Sequence, residues 1–181
     1  MRALVALLGV LAGCAGTTTR PDALDRLAIR EVLDRASDAI NHHEWDRLET
    51  TFASQIVWER RSADAWRLEG RDAIRAFLTG NAEHIEVLLY AVSATSIELH
   101  DDTHATARST MSEHIRVLET GATVHVVGTY TDELVREDGE WRIAHRTFVP
   151  RYEEDGPPPA RLWSNGAPAR SALDGIVGST E

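Results

Sequence analysis

Lysine is absent from this 181-residue chain, whose 19 basic side chains are all arginine and face 29 carboxylates. The missing lysine reads as a coding bias rather than a mechanism. The net charge of −10 excludes the basic stripe that a nucleic-acid partner requires, and equally a polybasic membrane patch. Cysteine occurs once, at Cys14, so no internal disulfide can form. Ser-His-Asp order, a Gly-rich phosphate loop and a dinucleotide fingerprint are all missing, and no cofactor is implied. No internal repeat is visible. The eight histidines lack metal-ligand spacing apart from His100-x-x-x-His104, which brackets a tight Asp101-Asp102-Thr103 turn, so no metal is predicted.

What is present begins at the N-terminus. Met1-Arg2 precedes an apolar run from Ala3 to Ala12 that is too short to span a membrane as a helix, the pattern of a secretory signal. The sole cysteine directly follows Leu11-Ala12-Gly13, which resembles a bacterial lipobox. By that resemblance, cleavage before Cys14 leaves a lipidated thiol and a domain tethered to the cell envelope by its acyl chains alone. The alternative is an ordinary signal peptide with an incidental Cys. Residues 1–13 are thus the expected signal and 14–21 a polar tether. Residues 22–152 make one domain of a size normal for a single core. From Glu153 onward the chain is rich in Pro and Gly and is expected to be a disordered tail.

Apolar residues from Leu24 and Leu27 through Val32, Leu33, Ala36, Ala39 and Ile40 recur at helical spacing, predicting a helix over 23–41 capped by Asp22. A short helix over 44–52 carries Trp45, Leu48 and Phe52. Residues 55–60 alternate as a strand with Ile56, Trp58 and Arg60 on one face. Gly70 opens a further helix, and a helical turn is expected around 82–89. Long strands follow over 90–100, 104–118 and 122–136, then an Asp138-Gly139 hairpin and a last strand over 140–149. Helices followed by an antiparallel meander make an α+β layer pair in which the helices cover a curved sheet.

Period-2 alternation indicates which side chains face the cavity beneath the helices. The inward row of one strand reads Met111, Glu113, Ile115, Val117, with one carboxylate among apolar neighbours. Desolvation would raise its pKa and suit it to general acid–base work. A one-residue slip would put His114 inside instead. The next strand offers Val126, Gly128 and Tyr130, with Gly128 leaving room for a ligand. Tyr90 is placed at the pocket end of its strand. Arg60 is expected either to pair with Glu113, because a buried carboxylate needs a partner, or to bind a ligand's oxyanion.

The ordered phrases Asp38–Leu48, Phe52-Ala53, Glu69–Leu78 and Tyr130–Arg146 resemble the SnoaL-like family of the nuclear-transport-factor-2-like superfamily. That resemblance implies a cone-shaped α+β barrel whose mainly antiparallel sheet encloses a pocket, and a homodimer paired through open sheet faces. It implies a small apolar or polyketide/steroid-like ligand. Scytalone dehydratase is similar around Asp38–Leu48, and its catalytic Tyr and Asp fall on Ile40 and Asn41, one catalytic His on Tyr90. The catalytic sets of ketosteroid isomerase and limonene-epoxide hydrolase are not reproduced either. The reading is an envelope-anchored pocket protein for a small, largely apolar oxygenated molecule. Ile40, Trp58, Arg60, Met111 and Tyr130 are its expected ligand contacts. The alternative is a cofactor-independent dehydratase, isomerase or cyclase using Glu113, with Tyr90 and Asn41.

Overall fold

An apolar stripe seats the first helix. In the computed structural model, which describes residues 20–159, 163–164 and 167–168, helix α1 spans Arg20–Asn41. Ile29, Val32, Leu33, Ala36, Ala39 and Ile40 are buried along it, three or four residues apart and therefore on one face. Leu24 and Leu27 belong to the same sequence period but are 60% and 63% exposed. The opening turns are held by polar reach instead. Asp25 accepts from Arg136 and from Trp141 Nε1, and Arg30 donates to the Thr95 carbonyl. Because α1 already starts at Arg20, Asp22 lies in its first turn rather than at the cap. The signal segment and Cys14 lie outside the described residues.

After α1, His43 adopts a positive φ of 55° and the chain turns into a 3-10 helix, Trp45–Thr50. Phe52 opens a strand rather than closing that helix. The strands are β1 (Phe52–Arg60), β2 (Trp66–Glu69), β3 (Ile85–Leu99), β4 (His104–Val117), β5 (Thr123–Glu137) and β6 (Glu140–Gly156). Helix α2 (Arg71–Ala82) connects β2 to β3, and β3 occupies most of the segment where sequence suggests a helical turn. The sheet runs β2-β1-β6-β5-β4-β3, antiparallel except for the parallel pair β1–β6. It does not close: β2 and β3 are its edges, so the cone is an open mixed sheet rather than a barrel. The short strand β2 and the parallel contact are additions to what the sequence suggests.

The β5–β6 turn is two residues, Asp138 and Gly139, both at positive φ (54° and 83°), as a tight hairpin demands. Shortly beyond it the ladder slips. Leu134 pairs with Ile143 but Glu133 with His145, leaving Ala144 as an extra residue. Such a bulge reverses the alternation. His145 therefore swings to the outer side and Arg146 becomes fully buried, the opposite of the simple period-2 expectation. β6 also continues past the Glu153 boundary suggested by composition, and Gly156 pairs with Thr123. Farther on, Trp163–Ser164 pairs with Ala167–Pro168 in a small ribbon.

Gly128 has a structural use different from the one suggested above. A Cβ there would stand 2.2 Å from Phe148 Cε2 and 2.6 Å from the Val149 carbonyl oxygen. The missing side chain makes room for the Phe148 ring, not for a ligand.

Candidate functional site

Helices α1 and α2 and the concave side of the sheet enclose a cavity of about 160 Å³. Ile40, Trp58, Arg60, Tyr90, Met111, Glu113 and Tyr130 all line it. Asn41 does not belong to its lining. His43, Trp45, Trp66, Phe77, Asn81 and Phe148 contribute as well and were not singled out from sequence. Trp66 was hidden because β2 is short; His43 and Trp45 depend on the turn after α1. Exposed His43 and half-buried Asn81 contrast with the buried Tyr90, Met111 and Tyr130, so the cavity has a wetter and a drier end.

Among the described residues, Glu113 is the only carboxylate in the lining. It faces Tyr90 across the β3–β4 ladder and Val126 across β4–β5. Among the described residues, no hydrogen bond or ion pair reaches it. The anticipated Arg60 partner is engaged elsewhere: Arg60 Nη2 lies 2.9 Å from Glu153 and 3.1 Å from Asp64, and its Nε donates to Ser62. Arg60 therefore acts on Glu113 only at a distance. Burial outweighs that attraction and raises the Glu113 carboxyl to about 7. His114 sits on the other face, its ring stacked 3.7 Å from that of His125.

Tyr90 and Tyr130 meet at the drier end, hydroxyl to hydroxyl, at 2.8 Å. Below them lies the buried charge that alternation alone missed. Arg146 makes a forked pair with Asp132, 2.7 Å from Nε and 2.9 Å from Nη2, with both side chains fully buried. Its guanidinium carbon is 4.4 Å from the Tyr130 ring centroid, and its Nη1 has no partner. Burial works against the Arg146 charge, yet Asp132 outweighs it and the guanidinium stays protonated. Burial likewise pushes both phenols up, so both hydroxyls remain protonated donors. Trp58, which also borders the cavity, keeps a buried and unpartnered Nε1–H.

The SnoaL-like domain model matches residues 21–147, more than half of the chain. The chain belongs to the SnoaL-like domain family. Three solved structures show the same fold. A provisional scytalone dehydratase from Novosphingobium aromaticivorans is 21% identical, with a TM-score of 0.67 over 79% of this chain and 98% of the other. A Mycobacterium tuberculosis protein of unknown function is 23% identical, with a TM-score of 0.62 over 77% and 78%. A hexachlorocyclohexane dehydrochlorinase, LinA type 3, from Novosphingobium barchaimii is 12% identical, with a TM-score of 0.67 over 75% and 92%. No curated protein matches this sequence significantly.

Within this SnoaL-like domain, Asn41 and Tyr90 stand where the resemblance to scytalone dehydratase implies an acid and a histidine. Here the two are bonded to each other. The Asn41 amide accepts from the Tyr90 N–H and donates to the Tyr90 carbonyl, both at 2.7 Å. Asn41 thus ties β3 at Tyr90 to the end of α1 and sets the height at which the Tyr90 phenol enters the cavity. Among the described residues, no three His, Cys, Asp or Glu side chains form a metal set. His104 bonds Asp101 within its own turn.

Proposed function

We propose that this domain binds a small, largely apolar oxygenated molecule and moves a proton on it, with Glu113 as general acid and base. The observation that carries this reading is the unpartnered Glu113 carboxyl in an aromatic cavity, raised to about 7. At neutral pH such a group is present in both forms, which suits a site that must take a proton and give it back. The carboxylate removes a proton from a carbon beside a carbonyl. The C–H electrons become the new C=C bond, and the carbonyl oxygen takes the charge. The resulting carboxylic acid then returns the proton at another position or to a leaving hydroxyl. Isomerisation, dehydration and cyclisation share this step, and it calls for no cofactor.

The test follows α-protons. A panel of cyclic and aryl ketones in D₂O should show deuterium wash-in by NMR above the buffer rate. Glu113→Gln should slow it roughly 10²–10⁴-fold, the usual contribution of a positioned acid or base. Exchange that survives this substitution undiminished would remove Glu113 from the mechanism. Ketones that bind without exchanging support the second reading, a module that holds its ligand without turnover. That reading is favoured by Asn41 and Tyr90, which replace the acid and histidine of the dehydratase.

We further infer that Cys14 is lipidated and anchors the domain to a bacterial envelope membrane. The support is the lone Cys after Leu11-Ala12-Gly13 at the end of the apolar run. Cys14→Ser expressed in a bacterial host should move the protein from the membrane to the soluble fraction. Intact-mass measurement showing an unacylated N-terminus in the unsubstituted protein would overturn the anchor.

A further inference from the structure

We infer that the cavity takes a single ring bearing a hydrogen-bond-accepting oxygen, such as an aryl or cyclic ketone, in preference to a fused-ring molecule. This rests on the ligand-site reading above and narrows it, because the resemblance alone implied steroid-like or polyketide-like guests.

Size is the first argument. A volume of about 160 Å³ is close to that of an engineered cavity, about 150 Å³, that benzene fills, whereas drug-sized ligands occupy roughly 300–1,000 Å³. The wall also resists swelling. Trp58 meets Trp66 edge-on at 5.8 Å, Trp66 meets Phe77 at 5.1 Å, and Tyr130 meets Phe148 at 5.2 Å. Phe148 is itself seated over Gly128, where even a methyl group would collide with it. Tyr130 rests on the Arg146 guanidinium. Tyr130 and Phe148 are thus each held from behind, so enlarging the space at that end means breaking aromatic contacts in series.

Polarity is the second argument. Trp58 Nε1–H is buried without a partner. In the Tyr90–Tyr130 pair one hydroxyl hydrogen lies between the two oxygens, so the other needs an acceptor beyond the pair. The Trp58 and Tyr130 rings are 6.4 Å apart, and both residues border the cavity. A buried donor left unmatched costs about 1–3 kcal/mol. An oxygen on the ring satisfies it, and a hydrocarbon of the same shape does not.

A binding ladder tests this without turnover. Acetophenone, ethylbenzene, 2-acetylnaphthalene and a steroid ketone are titrated calorimetrically into the protein and into Trp58→Phe, which keeps a six-membered aromatic ring and loses the N–H together with the five-membered ring. Acetophenone should bind roughly tenfold more tightly than ethylbenzene, the worth of one satisfied hydrogen bond. The two-ring and four-ring ketones should bind at least tenfold more weakly than acetophenone. Trp58→Phe should bring the ketone-to-hydrocarbon ratio close to one, and Tyr130→Phe, run alongside, should narrow it too. The inference is overturned if the steroid ketone binds as well as acetophenone. It is also overturned if folded forms of both variants keep the wild-type ratio; should neither fold, the wild-type ladder decides. Deuterium wash-in with a flat ladder removes this inference alone. A graded ladder without wash-in removes the proton-transfer reading and leaves this one standing.

Discussion

Replacing Asp132 by Ala should destabilise the fold by about 3–5 kcal/mol, the range found when one partner of a buried ion pair is removed. Arg146 would then be a fully buried cation whose Nη1 already has no partner and whose Nε and Nη2 would lose theirs. For a chain of this length, the midpoint of thermal unfolding should fall on the order of 10 °C. The guanidinium is packed under Tyr130, so it has no short route to water. Removing both charges with Asp132→Ala/Arg146→Met should recover much of the loss, because neutral replacement of a buried pair is often tolerated. A single variant that loses under about 1 kcal/mol in denaturant unfolding would mean that water reaches Arg146.

The importance of that pair explains why part of the site was legible in the sequence and part was not. On β4 and β5 the alternation is unbroken, with Ala105, Ala107, Ser109 and Met111 buried on one and Val126, Gly128, Tyr130 and Asp132 on the other. Inward Glu113 and Tyr130 therefore followed from counting by twos. On β6 the same rule fails at Ala144, since nothing local in Ile143–Arg146 announces an extra residue. The bulge shows only in the pairing with Glu133 and Leu134. β3 is similarly interrupted, its ladder to β4 shifting between Val87 and Leu89, which leaves Leu88 and Leu89 exposed beside buried Tyr90. The parallel β1–β6 contact joins segments far apart in sequence and leaves no local signature. The ion-pair partner of Arg60 was illegible for a related reason. Its partner Glu153 lies in the part of β6 beyond the expected end of the strand, where composition suggested only a tail.

The state of Glu113 should also be visible in stability alone, before any ligand is known. Its carboxyl has an ordinary value of 4.5 and rises to about 7 in the folded domain. Below about pH 4.5 the group is protonated in both folded and unfolded chains and carries no penalty. As pH climbs, the unfolded chain releases the proton while the folded domain retains it, so stability declines across the interval. Above about 7 the folded domain must hold the carboxylate in the aromatic cavity, and the penalty is complete at about 3 kcal/mol. Arg60 opposes this from β1, but it is shared with Asp64 and Glu153; Tyr90 and Tyr130, which also border the cavity, stay neutral throughout. Glu113→Gln has no such step. The remaining carboxylates, among them Glu59 held down near 2 by Arg67 and Arg61 against its burial, titrate alike in both proteins and cancel in the comparison. Denaturant unfolding at a series of pH values should therefore show the variant gaining on the wild type by about 3 kcal/mol between pH 4 and pH 8. A difference curve that stays flat would place Glu113 in water, and with it would go the physical basis for assigning this carboxyl the acid–base role.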